Sequence, residues 1–170
     1  MTDVADFILE YVEINPGMHF SGILREIDVA SGQLQYHLRN LSEEGEVESE
    51  KVAGMRHYFP EDFGKKERVK LSLLRRETKR DVVVGLLGCD GRSPGDLARE
   101  LGLARSTLEH HLADLEEPGL VERRYVDGRV YLEPGDDEEI TRLLETIDPS
   151  LLDRSTDRFT RLFDGFFDEF

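Results

Sequence analysis

The sequence predicts a mainly α-helical protein with small β-hairpins, of the α+β class, built from two copies of one small domain and ending in C-terminal helices. The stretches LQYHLRNLSEEGEV and LEHHLADLEEPGLV, which begin at Leu34 and Leu108, share Leu, His, Leu, Leu, Glu, Gly and Val at identical spacing. The match extends without a gap at an offset of 74 residues, over roughly 8–60 and 82–134. Each copy also shows helical apolar spacing followed by two short strands around a glycine turn.

The composition is sufficient only for small hydrophobic cores, and it indicates a cytoplasmic location. The chain has 170 residues, 38% hydrophobic and 35% charged, which suits one large or two small domains. No apolar run approaches the roughly 20 residues of a membrane-spanning helix, and the acidic N-terminus predicts no signal peptide. Cys89 is the single cysteine, so no internal disulfide or thiolate cluster is expected, and a small apolar filler is favoured over a redox role.

The net charge is −15. Phosphate contacts need Lys and Arg, so the overall charge argues at first against nucleic acid. Lysine is scarce, however, and a carboxylate-rich, lysine-poor surface resembles that of haloarchaeal cytoplasmic proteins, in which molar salt screens self-repulsion. The overall charge is therefore a poor guide to partners, and the local distribution of charge has to decide.

The second copy has the clearer structural signals. DVVVGLL is an apolar helical run that ends at GCDG. In SPGDLARELG, Ser93 is a predicted N-cap, Pro94 suits the first helical position and Gly102 ends the helix. Leucines at helical spacing in RSTLEHHLADLEE predict a third helix, which a Pro-Gly pair ends. LVERRYV and RVYL are predicted strands, and Asp127-Gly128 between them predicts a tight hairpin.

The first copy repeats this order with weaker caps. DFILEYV, HFSGILREI and SGQLQYHLRNLSEEG predict its three helices, and VESEKV-AG-MRHYF predicts its hairpin. His19 stands where the second copy has the Ser93 cap. Helix, helix, turn, helix and hairpin is the order of a helix-turn-helix with a wing. The sequence thus predicts tandem winged helix-turn-helix domains at residues 1–63 and 81–135.

The stretch NPGMHFSGILREIDVASGQLQYHLRNLSEEGEVESEKVAGMRHYFP resembles the first domain of archaeal predicted transcriptional regulators with two winged helix-turn-helix domains, related broadly to the ArsR and MarR groups. The resemblance covers about four fifths of the chain and is carried by LQYHL, LEEPGLV and YFP. It implies regulation through DNA binding. Ala30 and Ala104 stand where such helices commonly carry a Ser or Thr cap, so the pattern does not fix where each third helix starts.

Residues at the start and on the outward face of the third helix are candidates for reading bases in the major groove. In the second copy Arg105 is the strongest candidate, whereas Glu109 would repel phosphate unless it accepts from a cytosine amine. Arginines on the wing suit backbone or minor-groove contacts. The predicted DNA-binding residues of this copy are Arg105, Ser106, Thr107, Glu109, His110, Arg123, Arg124 and Arg129.

The first copy has a polar but more acidic candidate surface. Residues 1–63 carry 13 acids and 4 bases, a net charge of −9, whereas residues 81–135 carry 11 acids and 6 bases, a net charge of −5. The second copy is therefore the favoured DNA reader, and the alternative for the first copy is a protein-facing or dimerising winged helix. The outward residues of its third helix are Ser31, Gly32, Gln33, Gln35, Tyr36 and Arg39, of which Gln33, Gln35, Tyr36 and Arg39 are the predicted DNA-binding residues.

Five histidines make a metal site an alternative to consider. His37 and His111 occupy equivalent positions beside the leucines of each third helix. This placement favours half-buried histidines packed against the wing or the first helix. No histidine pair at i, i+4 on an exposed face comes with a carboxylate arranged for zinc. We therefore expect no metal and no cofactor.

Residues 64–80, GKKERVKLSLLRRETKR, depart from the acidic character of the chain. They carry 8 bases and 2 acids, a net charge of +6. The run predicts a basic connecting helix. Two interpretations stay open: a helix that contacts phosphates between the two domains, or a connector that pairs with the acidic first domain.

Residues 136–170 predict C-terminal helices. DDEEITRLLETI has apolar residues at helical spacing, and the last stretch is rich in phenylalanine. An aromatic stripe on a terminal helix needs burial, against a partner subunit or, alternatively, against the chain's own domains. A dimer would pair two third helices across a two-fold axis and predicts a palindromic site. The predicted dimerisation residues are Phe159, Leu162, Phe163, Phe166, Phe167 and Phe170.

These features favour a sequence-specific transcription regulator that binds double-stranded DNA as a homodimer, away from membranes. The alternative is a tandem winged-helix module that contacts the transcription machinery without a DNA site of its own. The acidic first copy favours that alternative, whereas Arg105 and the wing arginines do not. An enzyme is not indicated, because no Gly-rich phosphate loop, metal quartet or nucleophile elbow occurs.

Overall fold

The computed structural model describes residues 3–151, which form two compact units that divide between Arg76 and Glu77. Each unit combines helices with a small antiparallel sheet. The predicted α+β class, with tandem winged helix-turn-helix domains, is therefore confirmed. Within the described residues, no helix combines the length and apolar character that crossing a bilayer requires. The predicted dimerisation residues, 159–170, lie outside the described residues.

Unit 1 contains the predicted three helices and hairpin. Its hairpin strands form a three-stranded sheet in the order β1-β3-β2, because the short β1 also pairs antiparallel with β3. The sequence pattern did not predict β1. In chain order the elements are α1 (Val4–Ile14), β1 (Met18–His19), α2 (Phe20–Glu26), α3 (Ser31–Glu43), β2 (Val47–Val52), β3 (Met55–Pro60) and α4 (Lys65–Leu74).

The core of unit 1 fixes which face of α3 points outward. Leu34, Leu38 and Leu41, at helical spacing on α3, are buried against Ile8 and Val12 of α1 and their neighbours. Burying one such side chain contributes about 1.5–3 kcal/mol. The opposite face of α3 is left to solvent.

Unit 2 repeats this arrangement. Strands β4 and β5 form the predicted hairpin, and Arg92 makes a single antiparallel bridge with Leu132 of β5. The apolar residues of the last helix that the C-terminal pattern predicted, Ile140, Leu143 and Leu144, are buried. In chain order the elements are α5 (Glu77–Val84), α6 (Pro94–Leu101), α7 (Arg105–Glu116), β4 (Val121–Val126), β5 (Arg129–Pro134) and α8 (Asp137–Ile147).

The offset of 74 residues holds in the structure as well as in the sequence. It relates both hairpin strands of one unit to those of the other, and it relates the Met18–Tyr58 pair to the Arg92–Leu132 bridge. It also places α4 and α8 at equivalent positions after each wing. The basic segment 64–80 is thus divided between the units. Helix α4 belongs to unit 1, a turn follows at Arg75 and Arg76, and α5 begins unit 2.

The predicted caps and turns have clear structural counterparts. The Ser93 hydroxyl accepts from the Asp96 N–H at 3.1 Å, and the imidazole of His19 does the same for the Gly22 N–H at 2.9 Å. Both hairpin turns have two residues of positive φ, and the second of the two is a glycine in each turn. Ala30 and Ala104 are N-cap residues without a side-chain hydrogen bond, so the third helices begin at Ser31 and Arg105.

His57 is a fully buried histidine in the sheet of unit 1. Its Nδ1–H donates to the carbonyl oxygen of Gly17 at 2.7 Å, and within the described residues its Nε2 has no hydrogen-bond partner. Burial is the main cause that lowers the pKa of His57 to about 4 from 6.5. The folded unit therefore holds a neutral imidazole at this position.

Unit 1 should lose stability as the pH falls from 6.5 to about 4. In this window the unfolded chain takes up a proton at His57 and the folded unit does not, so the free energy of unfolding should drop by about 3 kcal/mol. Urea unfolding followed by the methyl resonances of unit 1 measures the loss. His57→Gln should flatten the pH profile, and an equally steep profile in that variant would rule out this histidine as its source.

Candidate nucleic-acid interface

Helix α7 presents the outward face that the leucine spacing predicts. Leu108, Leu112 and Leu115 are buried, whereas Ser106, Thr107 and His110 are exposed. The first turn contains no acidic residue and receives no side-chain cap. Its free backbone N–H groups and the positive end of the helix dipole therefore face solvent, which favours an approaching anion.

A cleft of about 760 Å³ opens beside the start of α7. It lies between the first turn of α7, the first turn of α6 and the start of β5. Arg105 and Arg129 both line it, although they lie on different elements, and both are exposed. Within the described residues no ion pair involves Arg129. The remaining residues that shape the cleft include Ser93, Pro94, Asp96 and Tyr131.

Glu109 joins the start of α7 to the wing. It accepts from Arg105 Nε at 3.4 Å and from Arg123 Nη2 at 2.7 Å, and Arg123 also pairs with Glu116. The hydrogen bond from Arg123 is the main cause that holds the pKa of Glu109 below its ordinary value of 4.5. The guanidinium of Arg123 is half-buried in these pairs, so it ties β4 to α7 and neutralises Glu109.

The two neighbouring wing arginines differ from Arg123. Arg124 pairs with Glu133 and, at 3.5 Å, with Asp90, and its guanidinium lies over the ring of Tyr131. Its side chain is still 43% exposed and Asp90 is fully exposed, so Arg124 can exchange these partners for a phosphate. Arg129 is exposed without such a pair, which makes it the more available cation of the wing.

A buried lysine connects the first helix of unit 2 to α7. The ammonium of Lys79 donates to His111 Nδ1 at 2.8 Å and pairs with Asp114 at 3.1 Å, and the side chain of Lys79 is 5% exposed. Of the two expected packing partners of His111, the wing or the first helix, this contact provides the first helix. Sequence reasoning missed Lys79, although a lysine at the head of an apolar helix, in a chain with five lysines, was a usable signal.

In residues 3–151, no group of three or more His, Cys, Asp or Glu side chains is arranged to hold a metal ion. His37 makes an edge-to-face contact with Tyr36.

The third helix of unit 1 also exposes its predicted face. Gln33, Gln35 and Tyr36 are exposed, as are Ser31 and Gly32. The remaining predicted residue, Arg39, is exposed and pairs with Glu43 at 3.2 Å. This surface offers amides and one aromatic ring, with a single arginine that already has a carboxylate partner.

Ion pairs and hydrogen bonds connect the wing of unit 1 to α4 and to Arg76, which follows α4. Arg68 pairs with Glu48 at 3.2 Å and with Glu50 at 3.4 Å, and Arg76 donates to the carbonyl oxygens of Val52 and Ala53 at the hairpin turn. Two carboxylates of the acidic wing strand thus share one arginine of the basic segment. The contacts of Arg68 support one of the two interpretations of the basic segment 64–80, namely that it pairs with the acidic first domain.

The position of α4 changes the comparison of charges between the two copies. Residues 1–76 carry 14 acids and 10 bases, a net charge of −4, and residues 77–135 carry 12 acids and 8 bases, also −4. Net charge therefore does not distinguish the two domains once α4 is counted with unit 1. The distinction depends on where the cations stand: at the third helix and wing in unit 2, and on α4 in unit 1.

Two family models match the chain. Residues 2–71 match an N-terminal helix-turn-helix domain, and residues 76–123 match the bacterial regulatory proteins of the arsR family. The two matches correspond to the two units. Both models describe helix-turn-helix domains rather than enzymes.

Similar proteins include one curated relative and several solved structures. The uncharacterized HTH-type transcriptional regulator MJ1398 of Methanocaldococcus jannaschii is 27% identical over 133 residues, 76% of this chain. The chain spans about a third of the length of that relative. HlyU from Vibrio cholerae is 29% identical over 46% of this chain and 82% of its own, with a TM-score of 0.42. An ArsR-like transcriptional regulator from Rhodococcus is 23% identical over 59% and 89%, with a TM-score of 0.41.

Replacing Lys79 should destabilise unit 2. Lys79→Ala removes the cation that pairs with Asp114 and donates to His111, and it leaves a void under α7, so we expect a loss of about 2–3 kcal/mol. Urea unfolding followed by unit 2 methyl resonances measures it. Lys66→Ala, at an exposed position, is the matched control and should stay within about 0.5 kcal/mol of wild type. Equal effects of the two substitutions would contradict a structural role for Lys79.

Proposed function

We propose that the chain is a transcription regulator and that it reads a specific site on double-stranded DNA through unit 2, the unit that matches the arsR family of bacterial regulatory proteins. We further propose that it acts as a homodimer in the cytoplasm of a halophilic archaeon and reads a palindromic site. The observation that carries the proposal is the cleft that Arg105 and Arg129 both line, beside the first turn of α7, which has no side-chain cap.

The exposed residues of α7 have the chemistry for base recognition. An arginine fork donates to the two acceptors of guanine, and Arg105 stands at the first helical position, where recognition helices enter the major groove. Ser106, Thr107 and His110 follow on the same outward face and offer donors and acceptors of shorter reach. The free N–H groups of the first turn suit a phosphate beside the groove.

The wing has the chemistry for backbone contact. Arg129 is free to donate to phosphate oxygens, and Arg124 can do so by leaving its exposed pairs. Arg123 and Glu109 take a different role, because their mutual pair holds the wing strand at a fixed place beside α7. We therefore assign Arg123 and Glu109 to positioning the interface rather than to touching DNA.

A second candidate function concerns unit 1. The acidic wing strand with Glu48 and Glu50 is fastened to Arg68, and Arg39 of the third helix is paired with Glu43. These contacts favour a winged helix that faces protein rather than DNA. The chain as a whole would then read DNA through unit 2 and contact the transcription machinery through unit 1.

Selection from a random DNA pool tests the proposal. In about 2–3 M KCl, where an acidic surface is screened, wild type should enrich a palindrome with half-sites about one helical turn apart. Arg105→Ala plus Arg129→Ala should weaken binding to that site by at least about 30-fold, since each arginine contact is worth about 1–3 kcal/mol. Fluorescence anisotropy with the selected duplex gives the affinities.

Arg39→Ala is the control in unit 1 and should change the affinity by less than about threefold. If Arg39→Ala weakens binding as much as the double substitution in unit 2, the assignment of DNA reading to unit 2 is wrong. If folded wild type enriches no sequence, the chain is the protein-interaction module instead. Enrichment of a single half-site would support sequence-specific DNA binding but contradict binding as a homodimer.

A further inference from the structure

Helix α1 of unit 1 exposes a line of large apolar side chains. Phe7 is 52% exposed and Ile14 is 67% exposed, and both belong to the few large hydrophobic residues that the described residues leave open to solvent. Tyr11 lies between Phe7 and Ile14, and Val4 lies one turn before Phe7, so the four residues follow helical spacing. Val4 and Tyr11 are half-buried. These four residues form the α1 stripe, which runs about 15 Å along the helix.

The α1 stripe borders the face that α1 buries in its own domain, and its half-buried members Val4 and Tyr11 pack against that core. Ile8 and Val12 are fully buried and supply the contacts to the core of unit 1. Phe7 and Ile14 stand outside that core and contribute little to it. Large apolar residues in line on a surface favour association, because their exposure to water costs free energy that a partner can recover.

The second copy shows that the fold does not require this stripe. At the offset of 74 residues, Val4, Phe7, Tyr11 and Ile14 correspond to Thr78, Asp81, Gly85 and Gly88. Unit 2 thus builds the same domain with polar or minimal residues where unit 1 presents apolar ones. For Phe7 and Ile14, which do not pack against the core, this difference points to a use rather than to a packing need.

A row of carboxylates borders the stripe on its solvent side. Asp3, Asp6, Glu10 and Glu13 each precede a stripe residue by one position, so they form a parallel row along the helix. All four are exposed, and within the described residues no ion pair involves them. A partner that binds the stripe therefore needs cationic side chains at this edge, because otherwise its binding is opposed by four carboxylates.

We propose that the α1 stripe is the docking face for an amphipathic helix of another protein, one whose apolar side is bordered by lysine or arginine. The apolar side would cover Phe7 and Ile14, and its cations would pair with the carboxylate row. A second copy of this chain is a poorer occupant, because its own α1 offers carboxylates where cations are needed. DNA is excluded by the same carboxylates. The inference does not depend on DNA reading by unit 2.

Two designed helical peptides test the chemistry of the occupant. Both carry leucine at the a and d positions of about three heptads; one has lysine at e and g, and the other has glutamate there. Their binding to the full chain is measured by fluorescence anisotropy, at the lowest KCl concentration that preserves the helical circular dichroism of the protein. We expect the lysine peptide to bind at least tenfold more tightly than the glutamate peptide.

Variants assign the binding to the stripe. Phe7→Ser plus Ile14→Ser should weaken binding of the lysine peptide at least tenfold while leaving circular dichroism unchanged, because both side chains are exposed. Tyr125→Ser is the matched control, since it removes an exposed aromatic residue from the wing of unit 2 and should change affinity less than twofold. Equal affinity for the two peptides, or binding that the double substitution leaves intact, overturns the proposal. A second outcome would also overturn the proposal. If the wild-type chain sediments as a dimer, the double substitution dissociates that dimer and neither peptide binds, the stripe is an interface between two copies of this chain.

Discussion

Burial of the leucine face of each third helix determines how both units of this chain are built. Leu34, Leu38 and Leu41 in unit 1, like their counterparts Leu108, Leu112 and Leu115 in unit 2, have to leave water, and a helix can bury one face only by exposing the other. The exposed face then carries whatever chemistry the domain offers to a partner. The wing stands beside the helix because Val47 and Val121 continue the same cores.

The two units differ in what surrounds this shared scaffold. In unit 2 the charged pairs connect elements of the candidate interface to one another: Glu109 links α7 to the wing through Arg123, and Lys79 links α5 to α7. In unit 1 the charged pairs connect the wing to α4 through Arg68 and Glu50. One set of pairs organises an open arginine-lined cleft, whereas the other covers a wing strand.

Much of this could be predicted because the signals are local. Leucine spacing, the Ser93 cap and the Asp127-Gly128 turn each depend on residues a few positions apart, and all have the predicted structure. The two-residue β1 escaped prediction because its pairing with β3 spans some 40 residues and leaves no periodic pattern. The partners of Arg123 and Lys79 escaped for the same reason: a charged side chain signals that it needs a partner, but not which one. The predicted dimerisation residues lie outside the described residues, and the dimer stays a prediction.

We propose that one scaffold occurs twice in this chain and that only unit 2 reads DNA. Amide hydrogen exchange of the full chain, with and without its selected duplex, reports on both units in one experiment. Binding should slow exchange in residues 93–110 and 124–131, and leave residues 31–40 of unit 1 as they are in the free protein. Equal protection of both third helices would contradict the claim and make the two units a pair of DNA readers.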